Sequence, residues 1–255
     1  MSLQMATLLF RSWPLLGVEL LHASDVTHTY PAHLHEQDSI GIVLQGEERI
    51  LCGDRTYIAR AGEAFVIAAE DVHSGESRDS EYLLMKVAAA RPLPTGIIDD
   101  RSAARIVGDL LVKLDRGVAG ESAVACILDI VTPRSAREPD EPAVIREARE
   151  YVRSHSVAGV SVLELTAIAK LSRSHFLRRF HSAAGVPPHQ YQTQVRIAHA
   201  RRLLRKQAPI SQAALQAGFV DQSHLSRHFK RIVGMTPADY VAQSTFVQDG
   251  FRARR

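Results

Sequence analysis

At 255 residues, with 45% hydrophobic and 23% charged residues and a formal net charge of +3, the chain can bury one large core or two ordinary ones. Its two cysteines, Cys52 and Cys126, lie far apart with no C-x-x-C pair, which argues against a disulfide framework or a zinc finger. No run approaches the ~18 apolar residues of a membrane span and no secretory pattern opens the chain, so the expectation is a cytoplasmic protein with no membrane partner.

The small net charge hides an asymmetry. Residues 143–255 hold 18 Lys+Arg against 6 Asp+Glu, a balance of +12, while residues 1–142 hold 13 against 22, a balance of −9. Such a field draws the C-terminal part onto a polyanion and holds the N-terminal part away from it. A solvated basic surface is the plainer alternative.

In chain order, residues 6–90 read as short strands separated by turn residues: Val18 to Leu21, Ile40 to Leu44, Arg49 to Cys52, Thr56 to Ala59, Ala64 to Ile67 and Tyr82 to Val87. Gln45-Gly46-Glu47, Gly53-Asp54 and Ala61-Gly62-Glu63 supply turns, and Cys52 to Arg55 reads as a tight hairpin. Many short strands with one apolar face predict a small sandwich or barrel. The wording Pro31-Ala32-His33-Leu34-His35, then Gly46, then Gly62-Glu63 through Phe65 to His73, resembles a cupin. Metal-dependent cupin enzymes add a Glu four or five residues beyond the H-x-H pair, and here Ser39 or Ile40 stands there. Without that anionic ligand, His33 and His35 are expected to hydrogen-bond near the barrel mouth and His73 to pack or contact an effector, a three-histidine metal site being the alternative; no metal, cofactor or catalytic residue is assigned. Together with Ile42, Leu44 and Phe65 they make the candidate small-molecule site, because barrel mouths gather apolar walls and a few polar groups.

From Asp99 to Val131 the period changes to a helical one. Ala103, Ile106, Val107, Leu110, Leu111 and Leu114 form one helix and Val124, Ile127, Leu128 and Val131 a second, with Gly117 to Gly120 breaking them. These two helices could simply cap the barrel. Thr132 to Pro142, TPRSAREPDEP, has three prolines and five charges without periodicity and reads as a linker. The expected domains are therefore residues 1–131 and 143–255, joined by 132–142.

The second domain is all helical. Ala143 to His155 is amphipathic, and Ser161 with Glu164 has capping-box spacing ahead of a helix to Ala169. Ser174 to Ala184 buries Phe176 and Phe180, and Gln194 to Lys206 makes a connecting helix. Ile210 to Ala217 is short, Gly218 permits a sharp turn, and Asp221 can cap a helix whose Leu225, Phe229 and Ile232 recur at i, i+4 and i+7. Each pair of helices reads as a helix-turn-helix with a donor-rich outer face.

The second motif is more specific than that. Ala214, Gly218, Phe219, Asp221, Ser223, Leu225, Arg227, Phe229, Lys230, Gly234, Thr236, Pro237 and Tyr240 follow a pattern that resembles the signature of AraC/XylS-type transcription regulators. Leu171 to Ser174, Arg178, Phe180, Gly185, Pro187-Pro188 and Tyr191 resemble the family again, with His181 where a Lys or Arg is usual. The resemblance implies an α+β multidomain chain: an N-terminal cupin-like β-barrel with two helices that senses an effector, and a C-terminal all-α domain with two helix-turn-helix motifs. It implies a sequence-specific transcription factor, not an enzyme, whose partners are double-stranded promoter DNA, a small-molecule effector, RNA polymerase and a second copy of the chain, the helix from Ala103 to Leu114 being a candidate dimerisation surface as an alternative or an addition to capping the barrel. The residues expected at DNA are Arg173, Ser174, His175, Arg178, Gln222, Ser223, His224, Ser226, Arg227, Lys230 and Arg231. A metal-dependent cupin enzyme with an incidental DNA-binding tail is the alternative from another class, and constitutive DNA binding with an assembly-only barrel a third reading.

Overall fold

A computed structural model of the chain describes residues 7–13, 17–69, 71–90, 93–132 and 142–242. Residues 133–141 of the expected linker and residues 243–255 lie outside the described residues. Two compact units form: one holds the strands and two helices, the other the remaining helices together with the short segment Ala32–Leu34.

The first unit is an antiparallel sheet of β1 (Thr7–Trp13), β2 (Val18–His33), β3 (Asp38–Cys52), β4 (Arg55–Arg60), β5 (Ala64–Ile67), β6 (His73–Val87) and β7 (Gly96–Ile97). The strand order is β1-β2-β6-β3-β5-β7, and β4 pairs with β3. β6 runs along one edge of β3. The other edge is shared, β5 pairing from Ser39 to Ile42 and β4 from Glu47 to Cys52. The expected hairpin is present, with Cys52 opposite Arg55 across Gly53-Asp54.

Two strands expected as separate, Ile40 to Leu44 and Arg49 to Cys52, are one. Gln45-Gly46-Glu47 is a bulge in β3 rather than a turn, with register shifts between Val43 and Glu47. Gly46 sits at φ +78, and a Cβ there would run into the carbonyl oxygens of Arg78 and Asp79 on β6. Only glycine lets the two strands stay paired through that point.

Alternation gives the sheet two buried faces. On one, Ile40, Ile42, Leu83, Met85, Ala64 and Val66 pack under α1 (Arg101–Asp115) and α2 (Glu121–Val131). Asp100 caps α1, its side chain accepting from the Ser102 and Ala103 amides at 2.8 and 3.1 Å. Gly108 lets α1 approach so closely that a Cβ there would lie 3.1 Å from Ile42 Cδ1. On the other face Val43, Ile50, Ala59, Phe65 and Ile67 form a second cluster, and Leu84 links it to Ala23, Val26 and Tyr82.

The second unit comprises α3 (Ala143–His155), α4 (Val162–Ala169), α5 (Arg173–Ala184), α6 (Pro188–Arg205), α7 (Ile210–Gln216) and α8 (Gln222–Val233), followed by a helical stretch over 237–242. The Ser161–Glu164 capping box is formed. α6 begins at Pro188, six residues earlier than the apolar pattern indicates, because Pro188 occupies the first turn, where no amide hydrogen is needed. α6 packs against both α5 and α8, so one rigid element fixes both motifs. No described helix is long and apolar enough to cross a membrane.

Candidate functional site

Each helix-turn-helix is built so that its outer helix is anchored from behind. In the first, Phe176 and Phe180 are fully buried, and Phe180 meets the ring of Tyr191 from α6 edge-on at 5.7 Å. Gly185, left-handed, ends α5. Arg173, Ser174 and Arg178 are exposed and His175 is half-buried, which leaves two guanidinium groups on the outer side.

In the second, Ala213, Ala214 and Ala217 of the α7 region make a small-residue surface against which Leu225 and Phe229 are wholly buried. Asp221 caps α8 by accepting from the His224 amide at 2.7 Å, so the only carboxylate at this helix start is spent on the backbone. Gln222, Ser223, Arg227, Lys230 and Arg231 are exposed and Ser226 is half-buried. Among the described residues, no carboxylate forms an ion pair with Arg173, Arg178, Arg227 or Lys230. Cations held on rigid helices without internal partners can meet phosphate or guanine without first breaking an ion pair.

Two side chains behave differently from the sequence reading. His224, expected to point outward, packs edge-on against Phe219 at 5.3 Å and His228 at 4.9 Å. His228, which sequence reasoning missed, accepts a hydrogen bond at Nδ1 from Arg231 Nη2 at 2.8 Å. Burial first, then the charge of Arg231, holds His228 below the usual histidine range, so it is a neutral acceptor that orients Arg231. The i, i+4 spacing of the two histidines beside Phe219 was the available signal.

The turn itself is clamped. Gly218 has φ +82, and a Cβ on it would lie 2.7 Å from the Val157 carbonyl oxygen. Arg196 of α6 holds that same loop, donating from Nε to the Ser156 carbonyl at 2.6 Å and from Nη2 to the Val157 carbonyl at 3.3 Å.

In the sheet unit, one candidate ligand-site grouping needs correction. Ile42 belongs to the face beneath α1, where Leu44 also packs, whereas the Phe65 ring lies over Gly41 on the opposite face. The two isoleucine and leucine side chains therefore do not line a site with Phe65. Strand alternation separates them, since Gly41 pairs with Phe65 and Ile42 with Ala64.

The histidines do converge. His33 ends β2, His35 lies in the turn before β3 and His73 opens β6; one ligand nitrogen from each lies within 4.8 Å of the others. His35 and His73 rings meet edge-on at 4.9 Å. His73 is buried, and burial above all depresses it to about 4, so its imidazole is neutral at pH 7. Its Nδ1 donates to the Asp71 carbonyl at 2.9 Å. Deeper on the same face, Glu48 is buried with Oε2 accepting from Ser77 at 2.8 Å, and the Tyr30 and Tyr82 hydroxyls lie 3.3 Å apart. Desolvation raises Glu48 above the usual carboxylate range. Nothing in the local sequence marks these groups as neighbours, because the contact depends on the β3–β6 register.

Comparison with known proteins agrees with both halves. A family model described as an AraC-like ligand binding domain matches residues 15–92, and a helix-turn-helix domain model matches residues 165–243. The chain is 28% identical to the probable transcriptional regulator LumQ of Photobacterium leiognathi over 244 residues, covering 89% of this chain and 96% of that one. It is 25% identical over 247 residues to the HTH-type transcriptional regulator YbfI of Bacillus subtilis, covering 83% and 87%. Among solved structures, ToxT of Vibrio cholerae bound to (E)-4-(8-methylnaphthalen-1-yl)but-3-enoic acid shares the fold, with a TM-score of 0.59 at 12% identity and coverage of 89% and 98%. With a ligand-binding domain of this kind ahead of a helix-turn-helix DNA-binding domain, the chain belongs to the AraC/XylS family of transcription regulators.

Proposed function

We propose that the protein is a small-molecule-responsive regulator that reads promoter DNA with α5 and α8 entering successive major grooves, about 34 Å apart on one face of the duplex. Ser174, Arg178, Gln222 and Arg227 read base edges, since guanidinium forks onto guanine and carboxamide onto adenine. Arg173, Lys230 and Arg231 hold phosphates, and His175, Ser223, His224 and Ser226 border the contact. The carrying observation is the outer face of α8: exposed Arg227 and Lys230, without an internal ion pair, on a helix pinned by fully buried Leu225 and Phe229.

The effector is assigned to the face of the sheet that holds His33, His35, Phe65 and His73, a set of polar groups beside an apolar cluster. The chain acts as a homodimer through the outward side of α1, where Ile106 is 43% exposed and Ala103 and Leu110 are half-buried beside it. Residues 132–142 act as the linker. RNA polymerase is the downstream partner, the cytoplasm is the compartment, and no catalysis is assigned.

The test is a pair of titrations on selected and random duplexes. Arg178→Ala and Arg227→Ala should narrow the difference between the two DNAs, while Lys230→Ala weakens both alike; equal losses on both DNAs for all three variants contradict the assignment.

A further inference from the structure

We propose that the effector is an organic cation, a primary amine on an apolar body, and that Glu48 receives its ammonium end. This builds on the placing of the effector on the face of the sheet that holds Phe65 and His73.

Register assembles the site. Cys52 pairs with His73, Ile50 with Gly75 and Glu48 with Ser77, so strand alternation sends Glu48, Ile50, Ser77 and His73 to one face. From its other edge β3 sets Glu48 opposite Ala59 of β4, and Ala59 and Ile50 belong to the apolar cluster of Val43, Phe65 and Ile67. The Tyr30 ring lies over Gly75, where a Cβ would be 3.5 Å from Cδ2, and the Tyr30 and Tyr82 hydroxyls lie 3.3 Å apart. Burial first, then Tyr30 and the Glu48 charge, raises the Tyr82 phenol, so it stays protonated beside the acid.

The fold leaves the bonding of this group incomplete. Glu48 is only 7% exposed, and its Oε2 accepts from Ser77 Oγ at 2.8 Å. Ser80, also buried, stands near enough to favour the ionised acid, yet neither its hydroxyl nor Glu48 Oε1 completes a hydrogen bond among the described residues. No described lysine, arginine or histidine forms an ion pair with Glu48. A buried acid without a counter-charge is costly to keep ionised, and a cation arriving from outside recovers that cost where a neutral or anionic molecule does not.

The neighbours select the kind of cation. An ammonium carries three donors and no acceptor. Glu48 Oε1, Ser80 Oγ and a tyrosine hydroxyl supply acceptors for it. Val43, Ile50, Phe65 and Ile67 continue from the carboxylate as an apolar wall, which suits an alkyl or aryl body and leaves a polyhydroxylated molecule short of partners. Glu48 belongs to no cluster of three metal-ligating side chains among the described residues, which disfavours a metal ion as the cation.

The test is calorimetric titration of the full chain with phenethylamine and hexylamine, beside 2-phenylethanol and phenylacetate as neutral and anionic counterparts of like shape. The amines should bind one per chain, and the alcohol and the acid roughly 10–100-fold more weakly, the worth of a hydrogen bond to a charged group. Glu48→Gln keeps the side-chain shape, removes the charge and should weaken the amines by a similar factor. Amine binding that survives Glu48→Gln, or no amine binding at all, overturns the inference. Tighter binding of the alcohol or the acid, weakened by Phe65→Leu but not by Glu48→Gln, overturns the cationic class while leaving the effector face standing, so the two readings fail separately. If Glu48→Gln loses the parent's circular dichroism spectrum, the charge series on the parent chain decides: amine ahead of alcohol supports the site, and an equal or reversed order rejects it.

Discussion

Replacing Gly218 with alanine adds one methyl group where the turn of the second helix-turn-helix presses on the loop after α3. Two costs can be worked out. The residue sits at φ +82, and holding an L-residue in the left-handed region costs about 1–2 kcal/mol. The new Cβ would also lie 2.7 Å from the Val157 carbonyl oxygen and 2.9 Å from its Cα, both backbone atoms that no rotamer change can move. Shifting that loop means giving up the Arg196 hydrogen bonds to Ser156 and Val157, about 1.5–3 kcal/mol for a bond to a charged group. The expected loss is about 3–5 kcal/mol, a large share of the ~5–15 kcal/mol that holds a domain folded. Urea unfolding of the full chain, followed by helical circular dichroism, reads this as an earlier transition of the helical unit, with specific DNA binding weakened in parallel. A change under about 1 kcal/mol, or the small stabilisation that Gly→Ala gives where its backbone is unstrained, would refute the clamp.

Other perturbations separate fold from function. Phe229→Ala should destabilise the helical unit by about 3–5 kcal/mol because the ring is wholly buried, and denaturant melts should show it even without DNA. Arg227→Ala should leave those melts unchanged, cost about 1–3 kcal/mol on the selected site and relax preference at one base pair, whereas Lys230→Ala should lower the salt slope by about one. Ser161→Ala removes the capping box and should cost roughly 0.5–2 kcal/mol in the same melts. Glu48 has a folded pKa raised by burial, so the unfolded chain ionises first as pH rises and stability falls above pH 4.5. Glu48→Gln should therefore be more stable than the parent at pH 7, with the gap closing towards pH 4; a gap that widens on acidification contradicts the sign.

The recognition helices were legible because their signals are local. Asp221, Leu225, Phe229 and Gly234 specify cap, stripe and stop within one short stretch, and α8 forms where they put it. The sheet was less legible. β2 runs to His33 through HASDVTHTYPAH, and β6 starts at His73, because half-exposed strands are held by neighbours rather than by apolar runs. Gly46 reads as a turn in isolation and is a bulge because β6 continues past it. Ile42 and Phe65 look alike as apolar strand residues, and only α1 lying over one face shows that they point apart. The three histidines were grouped by the cupin-like wording, and the structure places one ligand nitrogen of each within 4.8 Å of the others.

The most direct test of the central claim is binding selection: the purified full chain on fragmented genomic DNA at near-physiological salt, with and without candidate effectors, the recovered fragments sequenced. The account predicts a small set of enriched sites sharing two half-sites about one helical turn apart, whose enrichment falls in Arg178→Ala and Arg227→Ala. Recovery no different from random DNA under every condition, or enrichment indifferent to both substitutions, would contradict it.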